Sequence, residues 1–336
     1  MPLPWVEAPF VDIDFGLPQK RRFDAVPRDI LQKGEILLRA LGREAALAGV
    51  DSSRMRQAAV ALDLRTMRRF HAEAVALART VGVSWQQVLA ANLAYEIAVN
   101  PFGCSTVMMA TDRGPVLARN MDWFPQDVLA RCSVLIRFRK RNRLVFANAG
   151  WPGSIGAVSG LSGRGFGVVV NFVHAPEGVD YLGYPVLLMI RRVLEDADGF
   201  EQAVTLLSGT RLAAGALFSV VGTENHERVV IERTTRRHSV RTPRNGEPLV
   251  TTNHFRSMSA NEADLDDRAC PRWTNLRTAA DDMAELGTVT DERLLYELSE
   301  PGVMQEITAQ HVIIRPRDES ISLHVPRYLL DAETSE

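Results

Sequence analysis

The apolar residues of this chain keep helix spacing through its first hundred positions and change to strand spacing at Gly103–Cys104. That switch constrains the fold more than any other feature, because a period of 3.6 and a period of 2 cannot belong to one element. Upstream, Ile30, Leu31, Leu37, Leu38 and Leu41 recur at helix spacing behind Pro27, a residue suited to a first helical turn. A second helical region is expected from Ser53 to Arg79. A third opens on Ser84 with Gln87 three residues on, the pattern of a capping box, and is expected to stop near Asn100 because Pro101 disfavours helix before it. One short alternating run, Phe10 to Phe15, predicts a strand ahead of these helices.

Downstream, Cys104–Ala110 and Val116–Ala118 predict a hairpin around the Asp112-Arg113-Gly114 turn. Further strands are expected at Ser133–Phe138, Leu144–Ala147, Gly167–Phe172, Leu217–Val221, Val229–Arg233, Leu249–Thr252, His311–Arg315 and Ile321–Val325. Helices are expected at Val186–Asp196, Phe200–Leu207, Arg272–Glu285 and Asp291–Leu298. Strands and helices come in blocks, so the pattern predicts antiparallel sheets with helices layered outside, an α+β fold rather than a doubly wound parallel one.

Bulk properties exclude several classes. A net charge of −2 over 336 residues gives no electrostatic footprint for nucleic acid. Three cysteines (Cys104, Cys132 and Cys270) are too few for a disulfide framework and have no zinc spacing. His254 has no paired ligand spacing, so neither a metal nor another cofactor is expected. No signal-like start and no apolar run long enough to span a bilayer are found, and a cytoplasmic location is expected.

The chemistry gathers at the hairpin. Its return strand ends on Arg119-Asn120-Met121-Asp122, so pairing brings Arg119 and Asp122 close to Cys104. A thiol nucleophile needs a lowered pKa or a nearby base. Arg119 supplies a cation, but no histidine lies in the hairpin. The α-amine of Cys104 would serve as base, with an ordinary pKa of about 7.7–8.0, and Asp122 could orient it. That amine exists only after the Gly103–Cys104 bond is cut. The expected division is therefore a mainly helical pro-segment, 1–103, and a catalytic part, 104–336. The two parts are expected to stay together, because the helices' apolar faces need covering. Cys132 and Cys270, without such surroundings, are expected to be structural.

The run Gly103-Cys104-Ser105-Thr106-Val107 followed by Arg119-Asn120-Met121-Asp122 resembles the nucleophile segment of acid ceramidase and N-acylethanolamine-hydrolysing acid amidase, members of the choloylglycine hydrolase group of N-terminal-nucleophile enzymes. Val11-Asp12-Ile13-Asp14, Asn92-Leu93-Ala94-Tyr95-Glu96, Thr252-Asn253-His254-Phe255 and Asp266-Asp267-Arg268 resemble further segments of the group, in the same order. The resemblance implies a four-layer αββα sandwich and hydrolysis of a linear amide, with an apolar N-acyl amide as the small-molecule substrate. It implies Cys104 as nucleophile flanked by Arg119 and Asp122, Asn253 as a donor to the oxyanion, Arg268 as a supporting arginine and Asn171 as a further polar site residue. The spacing from Cys104 to Arg119 is one residue shorter than in the group, and the disulfides of its secreted members are missing.

Two other readings share these residues. Gly-Cys cleavage and Asn120-Met121-Asp122-Trp123 also resemble an acyl-coenzyme A:6-aminopenicillanate acyltransferase, in which an amine rather than water takes the acyl group. A binding protein that kept the fold and lost catalysis is the alternative from another class. The basic run from Arg137 to Arg143 reads as a solvated hairpin turn, or as a weak contact for anionic lipid.

Overall fold

The computed structural model describes residues 3–47, 49–96, 103–244, 246–258 and 271–331. Two short strands, β1 (Trp5–Glu7) and β2 (Phe10–Asp14), precede four helices: α1 (Arg28–Leu47), α2 (Ser52–Arg65), α3 (His71–Val81) and α4 (Trp85–Ala91). The hairpin β3 (Gly103–Met109) and β4 (Val116–Asp122) follows, then α5 (Gln126–Cys132), β5 (Val134–Lys140), β6 (Arg143–Gly150), β7 (Ser159–Ser162) and β8 (Phe166–Phe172). Next come α6 (Val186–Asp196), α7 (Phe200–Gly209), β9 (Ala216–Val221), β10 (Arg228–Arg233), β11 (His238–Arg241) and β12 (Leu249–Thr251). The described chain closes with α8 (Pro271–Leu286), α9 (Asp291–Ser299), β13 (Thr308–Arg315), β14 (Ser320–Pro326) and α10 (Tyr328–Asp331).

The strands form a six-stranded sheet, β1-β14-β13-β4-β3-β12, and an eight-stranded sheet, β11-β10-β9-β8-β7-β6-β5-β2. Every named pairing is antiparallel except β2 with β5. Strand alternation then builds the layers. In β3, Met108 packs between the sheets with Leu117, Val169 and Val221. Its neighbour Val107 points outward onto Trp273 and Leu276 of α8. On the far side of the eight-stranded sheet, Val168 and Val170 share a core with Leu188 of α6 and residues of α1 to α4. Helices, two sheets and helices again make the αββα sandwich.

The helical third differs from the sequence expectation in three ways. The region from Ser53 to Arg79 is two helices, broken where Met67 and Arg68 adopt positive φ. Ahead of the break, the Thr66 hydroxyl bonds back to Leu62 O, and buried Asp63 reaches across to His71 Nδ1 at 2.9 Å. The capping box of α4 forms as its residues require, but the helix ends at Ala91 rather than near Asn100, which lies outside the described residues. The Asn92 side chain, tied to Val88 O, turns to a distant loop instead of continuing the helix. Finally, β1 was not expected: with the expected strand β2, it gives the segment up to Gly103 a strand at one edge of each sheet.

Among the described residues no helix is long and apolar enough to cross a membrane. In the basic run, Arg137 and Arg139 are both paired with Asp12, and Arg137 also lies over Phe10, which leaves less charge for an anionic surface.

Candidate active site

The register of the β3–β4 hairpin sets Gly103 opposite Asp122, Cys104 opposite Met121 and Thr106 opposite Arg119. Cys104 and Arg119 therefore share the face turned toward the other sheet. Arg119 Nη2 donates to Cys104 Sγ at 3.0 Å. The guanidinium is wholly buried, and its Nη1 donates to Val158 O at 2.9 Å and Ser159 Oγ at 3.1 Å. Asp122 lies on the opposite face, beside the Gly103 backbone: a β-carbon on Gly103 would meet its Oδ2 at 2.9 Å. The Thr308 hydroxyl donates to Asp122 Oδ1 at 2.6 Å, while Oδ2 has no hydrogen-bond partner among the described residues and faces Arg272 at 3.6 Å.

These surroundings pull the titrations in opposite directions. Burial pushes the Cys104 thiol up, Arg119 works against it, and the Asp122 carboxylate adds to the rise. Burial also raises Asp122, to about 6, against the Thr308 hydrogen bond and the two arginines. A positive charge placed between them would relieve both groups.

Asn253 follows β12. Its Oδ1 accepts from the backbone N–H of Cys104 at 2.9 Å, and its Nδ2 donates to Phe172 O at 2.9 Å. A side-chain amide carries a second N–H, so the group that holds the Cys104 nitrogen can also offer a donor. Asn171 lies one sheet over, on β8. Its Nδ2 donates to Thr251 O and Thr252 O, both at 3.1 Å, and its Oδ1 accepts from Thr106 Oγ1 at 2.8 Å. Both amide hydrogens thus go to the backbone beside Asn253, and Asn171 braces that segment.

Arg268 and Cys270 lie outside the described residues. The arginine that reaches the site is Arg272, in the first turn of α8. Its Nη1 donates to Cys104 O at 3.1 Å and Ser105 Oγ at 3.2 Å, and its Nη2 donates to Asn253 Oδ1 at 3.0 Å. Sequence reasoning missed it. Arg272 opens an expected helix 168 residues from Cys104, and no local pattern marks such a distance. Cys132 is buried, its thiol raised to about 11 by that burial. Among the described residues no group of three or more His, Cys, Asp or Glu could hold a metal ion.

A sandwich of two mainly antiparallel sheets between layers of helices is the N-terminal-nucleophile hydrolase fold. Comparison with known proteins agrees. The sequence model for acyl-coenzyme A:6-aminopenicillanic acid acyl-transferase matches residues 109–288. That stretch is more than half of the chain, and the chain belongs to this family. The matched stretch begins after Cys104, so it does not include the proposed nucleophile. Acid ceramidase of Heterocephalus glaber is 25% identical over 266 residues, 69% of this chain and 66% of the relative. The N-acylethanolamine-hydrolyzing acid amidase of Oryctolagus cuniculus is 28% identical over 172 residues, 49% of this chain and 47% of the relative. The chain thus spans between about half and two thirds of the length of these curated relatives. A solved structure of the Caenorhabditis elegans N-acylethanolamine-hydrolyzing acid amidase ortholog superimposes with a TM-score of 0.54 at 21% identity, over 64% of this chain and 93% of that one.

Proposed function

We propose that this chain is a self-cleaving cysteine amidase that hydrolyses the amide bond of an N-acyl substrate with an apolar acyl group. The observation that carries the reading is the separate provision for the two reactive atoms of Cys104: Arg119 holds Sγ, and Asn253 holds N. A structural cysteine needs neither partner.

Maturation begins with attack of Cys104 Sγ on the carbonyl carbon of Gly103. The C–N bond breaks, a thioester forms, and the proton from sulfur passes to the nitrogen. Water then hydrolyses the thioester, leaving a carboxylate on Gly103 and a free α-amine on Cys104. Gly103 suits this step because the space beside its α-carbon is filled by Asp122.

In the mature site the α-amine takes the thiol proton, and the thiolate attacks the substrate carbonyl. The second hydrogen of the Asn253 amide is available to the resulting oxyanion, a contribution of about 3–4 kcal/mol for one well-aimed donor. The ammonium returns its proton to the leaving nitrogen, and water resolves the acyl-enzyme. Asp122 and Asn253 Oδ1 orient the amine on two sides, while Arg119 favours the thiolate. Arg272 ties Asn253 to the Cys104 carbonyl and keeps both in register.

A cavity of about 430 Å³ lies between α1, α2, α4 and Trp123 and Phe124, the two residues that follow Asp122 in the chain. Leu38, Leu41, Met55, Leu93 and Trp123 make much of its wall, and Glu44 and Arg54 are the charged residues among its described lining. Such a wall favours an apolar chain over a charged or sugar-like group. Because three of the bounding helices precede Gly103, the cleaved pro-segment would remain as a small subunit and form part of the binding site.

The test is amine release from a series of N-acyl amides of increasing chain length. Turnover that rises with chain length and vanishes in Cys104→Ala is expected, and short polar amides preferred over long ones would contradict the reading. The family match favours one alternative, transfer of the acyl group to an amine. An added amine acceptor that yields a transfer product in place of free acid would establish it. A folded protein whose Cys104 resists thiol reagents would instead point to a binding protein.

A further inference from the structure

Asn92 is wholly buried at the C-terminus of α4, yet its side chain serves another part of the chain. Its Oδ1 accepts from the backbone N–H of Gly156 at 2.6 Å, that of Ile155 at 3.1 Å and the Ser154 hydroxyl at 3.4 Å. Its Nδ2 donates to Val88 O at 2.7 Å, which fixes the amide's orientation. One side-chain oxygen thus gathers three consecutive residues of the 154–156 turn. The turn is gripped again from α6: Arg191 donates to Ile155 O at 2.9 Å while paired with Glu73 of α3. It has no slack, since a β-carbon on Gly156 would meet Leu187 Cβ at 2.7 Å and Asn92 Oδ1 at 3.0 Å.

Two residues beyond this turn is Val158, whose carbonyl, with the Ser159 hydroxyl, holds Arg119 Nη1. The other end of that guanidinium touches the thiol of Cys104. No acidic side chain bonds to Arg119 among the described residues, so its aim depends on these backbone and hydroxyl acceptors.

We propose that Asn92 is a positioning residue for Arg119: through the 154–156 turn it fixes the acceptors that aim the guanidinium at the Cys104 thiol. The pro-segment therefore has a continuing role in the chemistry, as the subunit that sets the nucleophile's cation. This rests on the reading of Cys104 as nucleophile and Arg119 as its cation. The charged or titratable groups that interact with the thiol include Arg119, Asp122 and Arg272, and the buried Tyr95 phenol is also coupled to it. Asn92 contributes no charge, so any effect of its loss on the thiol must pass through one of them.

The experiment follows alkylation of the Cys104 peptide by iodoacetamide against pH in the full-length protein, cleaved or not, beside amide turnover. Arg119→Gln sets the scale: removing a cation in contact with a thiol raises its apparent pKa by about one unit or more. Asn92→Ala is expected to move the profile in the same direction by a smaller amount and to lower kcat with little change in KM. Asn92→Gln, which keeps an amide acceptor and donor without adding charge, is expected to restore part of the profile. Should Asn92→Ala not fold, Asn92→Ser, which retains a shorter polar group, takes its place in the same comparison. A shift in Arg119→Gln with none in a folded Asn92 variant would overturn the proposal and leave the site reading standing. No shift in Arg119→Gln would remove both.

Discussion

The carboxylate of Asp122 stands 2.9 Å from the point where a β-carbon on Gly103 would project, so the residue before the proposed nucleophile has room for a hydrogen and nothing larger. Asp122 cannot withdraw freely, because its other oxygen is held by Thr308 at 2.6 Å. Gly103→Ala is therefore expected to slow maturation by an order of magnitude or more while leaving the protein folded. A time course of intact mass beside circular dichroism checks both parts.

Asp122 also sets a pH limit. Burial raises its pKa to about 6, and it orients the amine only when deprotonated. Activity is then present above pH 6 and lost as pH falls through it. The Thr308 hydrogen bond favours the charged form. Thr308→Val is expected to move the acid limb of kcat/KM upward by about one unit, with the plateau at high pH little changed. An acid limb that stays in place would separate it from Asp122.

His311 makes a stability test. It is wholly buried, bonded through Nδ1 to Asn120 Oδ1 at 2.7 Å, and desolvation lowers its pKa to about 3. The unfolded chain binds the proton near pH 6.5, so between 6.5 and 3 the unfolded state holds more protons and stability falls with pH. Asp122, raised in the fold, acts in the opposite sense between about 4 and 6, so the comparison must be with a variant. Relative to His311→Gln, the wild type is expected to lose about 1.4 kcal/mol for each pH unit below 6.5. Urea midpoints at pH 7.5, 6 and 5 read it.

Glu73 ties the helical segment to α6. Its carboxylate meets Arg191 at 3.0 Å through both oxygens and Arg22 at 2.7 Å, and the Glu73–Arg191 pair is almost entirely buried. Removing one partner of a buried pair costs about 3–5 kcal/mol. Glu73→Gln is expected to lose that much in urea unfolding and, once cleaved, to shed the small subunit on gel filtration under conditions where the wild type keeps it.

Much of the fold was legible because its elements obey a single period. Val186–Asp196 forms the helix its pattern predicts, and the strand at Phe10 emerges from strict alternation. Where long-range partners decide, the pattern fails. Asn92 ends α4 early because it bonds to residues 154–156, and α5 and β7 are too short to show a period. The site divides in the same way. Arg119 and Asp122 could be placed because a hairpin turns sequence distance into register. Asn253, Arg268 and Asn171 came only from family resemblance, and Arg272 had no sequence signal.

The most direct test of the central claim is the intact mass of purified protein under denaturing conditions, beside Cys104→Ala. Fragments 1–103 and 104–336 in the wild type, with the variant remaining whole, are expected. A wild-type chain that stays single across a pH series, with undiminished amide turnover, would contradict the account, because it would leave no α-amine on Cys104 to act as base.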